Sequence, residues 1–196
     1  PTGAGKTVML IKLMDRIIEH NPHHYDYVFI WLTPGNGELE EQSWSKAKDY
    51  ATFVKAQTLD DALISGLEKN TATFLNWERV KNSQALALRD GETKNLTALI
   101  KNARLQNLHF VLIIDEEHRN QTEKAQPIID MFDADKIIRA SATPKSSSSE
   151  YDNVQVNDED VIAQGLIVRN VELNPDGVDG DVVDNMVQYF LDSVDD

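Results

Sequence analysis

The 196-residue chain has no cysteine and a formal net charge of −14, so a disulfide framework and a thiolate metal site are both excluded. No run of about eighteen or more apolar residues occurs, and the start has no signal-peptide pattern, so no membrane partner is expected and the expected location is cytoplasmic. The acidity is uneven. Residues 1–149 hold 20 acidic and 18 basic side chains (−2), whereas residues 150–196 hold 13 acidic side chains against Arg169 alone (−12). A nearly neutral body leaves room for a basic groove, which the whole-chain charge alone would argue against. The length suits one α/β domain with a real core plus an appendage.

In chain order, Pro1-Thr2-Gly3-Ala4-Gly5-Lys6-Thr7 reads as the second half of a phosphate-binding loop, G-x-x-x-x-G-K-S/T, whose first glycine would fall one residue before Pro1. Gly3 and Gly5 allow a compact nest of inward N–H groups, Lys6 brings a point charge to β/γ-phosphates, and the Thr7 hydroxyl is a ligand for Mg²⁺. Val8, Leu10, Ile11, Met14, Ile17 and Ile18 have helical spacing, so a helix starts at the loop and aims its dipole at the anion. Asn21-Pro22 ends it. Residues 27–32 (Tyr-Val-Phe-Ile-Trp-Leu) form a continuous apolar run, expected as a strand buried on both faces of a parallel sheet. Thr33-Pro34-Gly35-Asn36-Gly37 is a turn, and a helix opens at Glu38.

A second strand is expected near 52–56 and a helix over about 59–67. A third strand covers 71–77 and ends at Asn76-Trp77, and another helix spans about 96–104. Residues 110–114 (Phe-Val-Leu-Ile-Ile) are the most apolar strand and run straight into Asp115-Glu116-Glu117-His118. A helix over 122–132 and a strand over 136–140 follow, the strand leading into Ser141-Ala142-Thr143-Pro144. Strands alternating with helices of some ten to fifteen residues predict βαβ units and a mostly parallel sheet. The serine run 146–149 is the natural boundary between a domain at 1–145 and an acidic extension at 146–196. In the extension, a short helix and a strand are expected around 161–173, and a last helix over 182–191.

Every candidate functional residue falls at the carboxyl end of a strand, the edge where open α/β sheets bind ligands. Asp115 is placed to hold Mg²⁺ beside the phosphate loop, and Glu116 to orient or deprotonate an attacking water. An acidic surface turn is the competing reading of 115–118, and it loses ground because a phosphate loop is already present. His118 reads equally as a packed or surface histidine and as a coupling residue.

Pro1 to Thr7, Asp115 to His118 and Ser141-Ala142-Thr143, in this order, resemble motifs I, II and III of the superfamily 2 helicases and translocases, with motif II of the D-E-x-H kind. Thr33-Pro34-Gly35 through Gln42 resembles motif Ia but departs from it at Gly35-Asn36-Gly37. With Asn76-Trp77 and Ser-Ala-Thr-Pro-Lys, the closer resemblance is to the Res subunit of type III restriction enzymes, over about residues 1–170. The resemblance implies a RecA-like P-loop NTPase domain that binds ATP and Mg²⁺ and serves as the first motor domain of a DNA helicase or translocase. It implies an ATP-binding loop of Thr2, Gly3, Ala4, Gly5, Lys6 and Thr7, with Thr7 and Asp115 on the metal. Lys6, Asp115, Glu116 and His118 would form the catalytic set. Ser141, Ala142 and Thr143 would couple nucleotide state to DNA. Thr33, Pro34, Gly35, Asn76 and Trp77 would meet the nucleic-acid backbone, although Trp77 reads equally as a core aromatic. The implied partners are double-stranded DNA and a methyltransferase subunit that supplies the recognition site.

The strand leading into the phosphate loop and an arginine-rich motif Q-x-x-G-R-x-x-R are both expected outside this sequence. The chain alone is therefore expected to bind nucleotide better than it turns it over. No nuclease signature of the P-D…(D/E)-x-K kind is visible. A non-catalytic nucleotide- or DNA-binding remnant and an RNA helicase domain are the alternatives; a P-loop kinase fits the Asp-Glu pair and Ser141-Ala142-Thr143 less well. The acidic tail reads as a solvated connector or, more sharply, as a DNA mimic competing for the body's binding face. Removing residues 175–196 strengthens DNA binding at matched salt if the mimic reading holds, and a filter-binding titration giving unchanged affinity selects the connector.

Overall fold

The structure, a computed structural model, describes residues 5–34, 38–77, 80, 96–115, 126–141, 154, 159 and 163. Within them the element order is α1 (Lys6–Glu19), β1 (Tyr27–Thr33), α2 (Glu38–Tyr50), β2 (Lys55–Thr58), α3 (Leu59–Ser65), β3 (Thr71–Asn76), α4 (Leu96–Leu105), β4 (His109–Ile114), α5 (Gln126–Phe132) and β5 (Lys136–Arg139). The chain divides into two units, Pro1–Val154 and Gln155–Asp196. In the second only Glu159 and Ala163 are described, so the expected elements of the acidic extension lie outside the described residues.

All seven residues of β1 are buried, as its uninterrupted apolar run requires. It sits at the centre of a five-stranded sheet of order β2-β3-β1-β4-β5, and every pairing is parallel. Side chains alternate across the sheet with period two. Val28, Ile30 and Leu32 of β1 join Phe110, Leu112 and Ile114 of β4 and Leu75 of β3 on one face, against α3, α4 and α5. Phe29 and Trp31, with Phe74, Val111 and Ile113, form the other face under Leu10, Ile11 and Met14 of α1 and Ala47 of α2. Trp31 stacks on Phe74 at 5.2 Å between ring centroids, a contact worth about 0.5–1.5 kcal/mol beyond its area burial. The helix between β1 and β2 lies on one face, and those between β3 and β4 and between β4 and β5 lie on the other. A single hand of crossover demands this, because the first connection moves one way along the strand order and the later two the opposite way. This is the expected RecA-like α/β domain. No helix among the described residues is long and apolar enough to cross a membrane.

The boundaries of the second strand and of the helix after it differ from the expectation by two or three residues. The second strand begins at Lys55 rather than near residue 52, because the amides of Thr52, Phe53 and Val54 turn aside to the buried carboxylate of Asp15 at 2.8–3.3 Å. Lys55 is the first residue free to enter the ladder, and its N–H donates to Asn70 O at 2.9 Å. The helix that follows is closed by a capping box. The Thr58 hydroxyl accepts from the Asp61 amide at 3.2 Å while the Asp61 carboxylate accepts from the Thr58 amide at 2.9 Å, and the helix stops at Gly66 with φ +92°. The helix expected over 122–132 is described only as Gln126–Phe132.

At the amino edge of the sheet, Asp135 fastens β4 to the turn before β5. Its carboxylate accepts from the Phe110 amide at 2.7 Å and from Arg104 at 3.0 Å, and lies 3.1 Å from His109 Nδ1. Arg104 also donates to the carbonyls of Phe132 and Asp133, and its guanidinium lies over the Phe110 ring. Burial pushes the Asp135 carboxyl up, but the Phe110 amide, His109 and Arg104 together outweigh it and hold the group below its ordinary value. A depressed folded-state pKa contributes stability at pH values above the ordinary 3.8, lost as pH falls through the lower folded value. Asp135→Asn therefore lowers the urea midpoint at pH 7 and narrows its gap from the unsubstituted chain below about pH 4, as paired unfolding curves at the two pH values will show.

Candidate functional site

The strand registers bring four residues to one level at the carboxyl edge. Thr33 stands opposite Asn76. Ile114 pairs with Leu32 on one side and Arg139 on the other, so Asp115 is level with Thr33 and with Ala140. The Asp115 amide donates to Leu32 O at 3.0 Å, and the Ala140 amide to Ile114 O at 2.9 Å, which carries the ladder to the last residue of the row. Thr33, Asn76 and Asp115 continue the alternate positions that face α1 and α2, and Ala140 packs against that same cluster.

A hydroxyl, a carboxamide and a carboxylate side by side are costly to bury, yet Thr33 is 1 %, Asn76 5 % and Asp115 7 % exposed. The Thr33 hydroxyl is held by Leu75 O at 3.3 Å. Trp77 does not join this row. It is 2 % exposed and packs with Val80 in the core beneath α3 and α4.

α1 delivers Lys6 and Thr7 to the same edge. It runs against the strands, since its carboxyl end leads to the start of β1 and Asp15 touches the entry to β2. Lys6 lies nine residues before Asp15, about 14 Å at 1.5 Å per helical residue. From the entry level of β2 and β3 to Asn76 is five strand residues, about 17 Å at 3.3 Å each. The first turn of α1 thus lies toward the carboxyl edge, on the face to which the polar row points.

Gly5 caps α1 from the left-handed region, φ +72° and ψ 21°, without a side-chain cap. Its carbonyl accepts the first helical bond, from Met9 N–H at 3.0 Å. The amides of Thr7 and Val8 precede that bond and have no acceptor within the helix, the arrangement that suits an anion.

Thr2, Gly3, Ala4, Gly35, Glu116, His118, Ala142 and Thr143 lie outside the described residues; Pro34 is buried and Ser141 half-buried at the ends of their strands. Asp15 was not singled out from the sequence. The signal was there: a carboxylate four residues after Ile11 on the apolar stripe of α1, a position that burial tolerates only with partners.

Among the described residues no three His, Cys, Asp or Glu side chains gather as a metal cage. One carboxylate and one hydroxyl, Asp115 and Thr7, are hard oxygen donors that suit Mg²⁺, which binds through one or two protein ligands plus phosphate and water. The chemistry of the donor set fits that ion.

A family model described as the type III restriction enzyme res subunit matches residues 1–146, which takes in every element from α1 to β5. No curated protein matches the chain.

A Cβ built on Gly5 meets nothing within 4 Å, so the restriction there is torsional rather than steric. Gly5→Val loses roughly 1–2 kcal/mol through the left-handed backbone, and Gly5→Asn clearly less because asparagine tolerates that region. Urea unfolding of the two variants beside the unsubstituted chain measures the difference.

Proposed function

The chain belongs to the type III restriction enzyme res-subunit family, a family with a helicase-like ATP-binding domain, and from that membership we propose that it binds ATP with Mg²⁺ and, in the full protein, hydrolyses it to drive movement along double-stranded DNA. The observation that carries the reading is the meeting of two elements at one edge. The glycine-capped start of α1, bearing Lys6 and Thr7, runs toward the edge where Asp115 ends the apolar run of β4, which supports a shared site there.

In this reading Thr2, Gly3, Ala4 and Gly5 wrap the phosphates, and Lys6 neutralises the β/γ charge. Thr7 and Asp115 would hold Mg²⁺, which would supply positive charge against the phosphates when bound. Glu116 would orient the attacking water and accept its proton, and His118 would complete the catalytic set. The work of the protein is positioning and electrostatic stabilisation, since the phosphoryl group itself needs little covalent help. Ser141, Ala142 and Thr143 follow β5, whose last ladder bond joins Ala140 to the residue before Asp115. A shift at Asp115 has a short main-chain route to them.

Thr33 and Asn76, the last residues of β1 and β3, with Pro34 and Gly35 after β1, would bring the carboxyl edge to a phosphodiester backbone, contacts that position without reading sequence. Trp77 supports that edge from within the core rather than touching nucleic acid. Sequence recognition falls to a methyltransferase partner, and the setting is a cytoplasmic restriction-modification system. Residues 1–145 form the first motor domain, and residues 146–196 form a connector.

Lys6→Ala is the direct test. It weakens binding of a Mg²⁺-bound ATP analogue by roughly 10- to 100-fold, the range for losing a charge-assisted contact of about 1.5–3 kcal/mol. ATP hydrolysis with no nucleic acid, with duplex DNA and with RNA then identifies the track: DNA stimulation supports the restriction-system reading, and stimulation by RNA alone replaces it with an RNA helicase. Equal analogue binding by the two proteins overturns the nucleotide site itself.

A further inference from the structure

We propose that Asp15 is a positioning residue for the nucleotide site, fixing the axial placement of α1 so that Lys6 and Thr7 stand level with Asp115. The inference rests on the nucleotide-site reading and extends it to a residue with no place in the phosphate loop or the acidic motif.

Asp15 is 5 % exposed. Its carboxylate accepts three consecutive main-chain amides: Thr52 at 2.9 Å, Phe53 at 2.8 Å and Val54 at 3.3 Å. Lys12, one turn back on the same helix, lies 3.7 Å from that carboxylate and donates to Tyr50 O at 2.5 Å and to the Thr52 hydroxyl at 3.4 Å. A concave run of amides around one carboxylate is a nest occupied from within.

Its location gives it leverage. The nest lies between α2 and β2, at the amino edge of the sheet, and β2 is two strands removed from β1. Lys12 adds polar contacts to the same segment, and the packing of α1 on the sheet is apolar: Leu10, Ile11 and Met14 against Phe29, Trp31, Val111 and Ile113. Apolar contacts are non-directional, so they resist lifting the helix far more than sliding it along its axis. The Asp15 hydrogen bonds are directional, and with those of Lys12 beside them they form the axial stop. An α-helix transmits such a stop along its length, and Lys6 is nine residues, about 14 Å, away.

The consequence concerns Mg²⁺ more than the nucleotide alone. Phosphates can follow a displaced Lys6, because the lysine and its ligand move together. Ligation by Thr7 and Asp115 cannot, since one donor rides on α1 and the other is fixed to β4. Loss of the stop therefore appears as loss of the gain in affinity that Mg²⁺ confers.

The experiment compares ATPγS binding with Mg²⁺ and with EDTA for the full chain, Asp15→Asn, Asp15→Ala and Lys6→Ala, with a thermal melt of each. In the unsubstituted chain Mg²⁺ tightens binding. In Asp15→Ala that ratio falls by about tenfold, within the hundredfold that a displacement of about 1 Å can cost in a positioned site, while affinity in EDTA changes little. Asp15→Asn keeps one acceptor oxygen and shows a smaller loss of the same kind. A purely structural role predicts lower melting temperatures with the ratio unchanged, and that result in whichever Asp15 variant folds overturns the proposal. Binding by the unsubstituted chain that is indifferent to Lys6→Ala instead overturns the underlying site, and with it the basis for a role of Asp15.

Discussion

The structure depends on the two-sided burial of its central strands. β1 and β4 lie side by side with no exposed face, so their main-chain groups can be satisfied only by neighbouring strands and their side chains only by helices above and below. That requirement forces crossover connections, and crossovers place every turn that leaves a strand at one edge. Apolar residues along the strands therefore decide where polar residues can gather. Thr33, Asn76 and Asp115 share a level because the strands beneath them are locked in register by hydrogen bonding.

Most of this was legible in the sequence because it was written in periodicity and in runs. Residues 27–32 and 110–114 announce buried parallel strands by carrying no polar residue at all, and α1 announces itself by its helical spacing. Thr33 and Asp115 stood out as candidates for a related reason, since each directly follows such a run. Two features were not readable. The start of β2 depends on Asp15, a residue 37 positions upstream of Thr52, and no local pattern in 52–56 reveals that its amides are engaged elsewhere. Trp77 sits at a strand end among polar neighbours, which the sequence cannot separate from a surface position. Only the direction of its side chain, into the core with Val80, decides it.

Polar anchors divide the labour at the two edges. Asp135 and its partners Arg104, His109 and the Phe110 amide close the amino edge near β5, and Asp15 closes it near β2. Both are carboxylates satisfied by main-chain amides. Both stand at the end opposite the proposed nucleotide, where rigidity costs the site nothing. The polar side chains of the amino edge serve geometry, and those of the carboxyl edge are the ones proposed to meet ligands.

The strand order also sets a timetable for the chain as it is made. β1 is complete at Thr33, yet its partner β4 begins only at His109. At a synthesis rate of about 5–20 residues per second, roughly 4–15 seconds separate the emergence of the two. During that interval seven consecutive residues with no charge and high β-propensity await one flank of their pairing. The stretch that makes the core secure in the finished fold is thus the stretch most in need of protection on the ribosome.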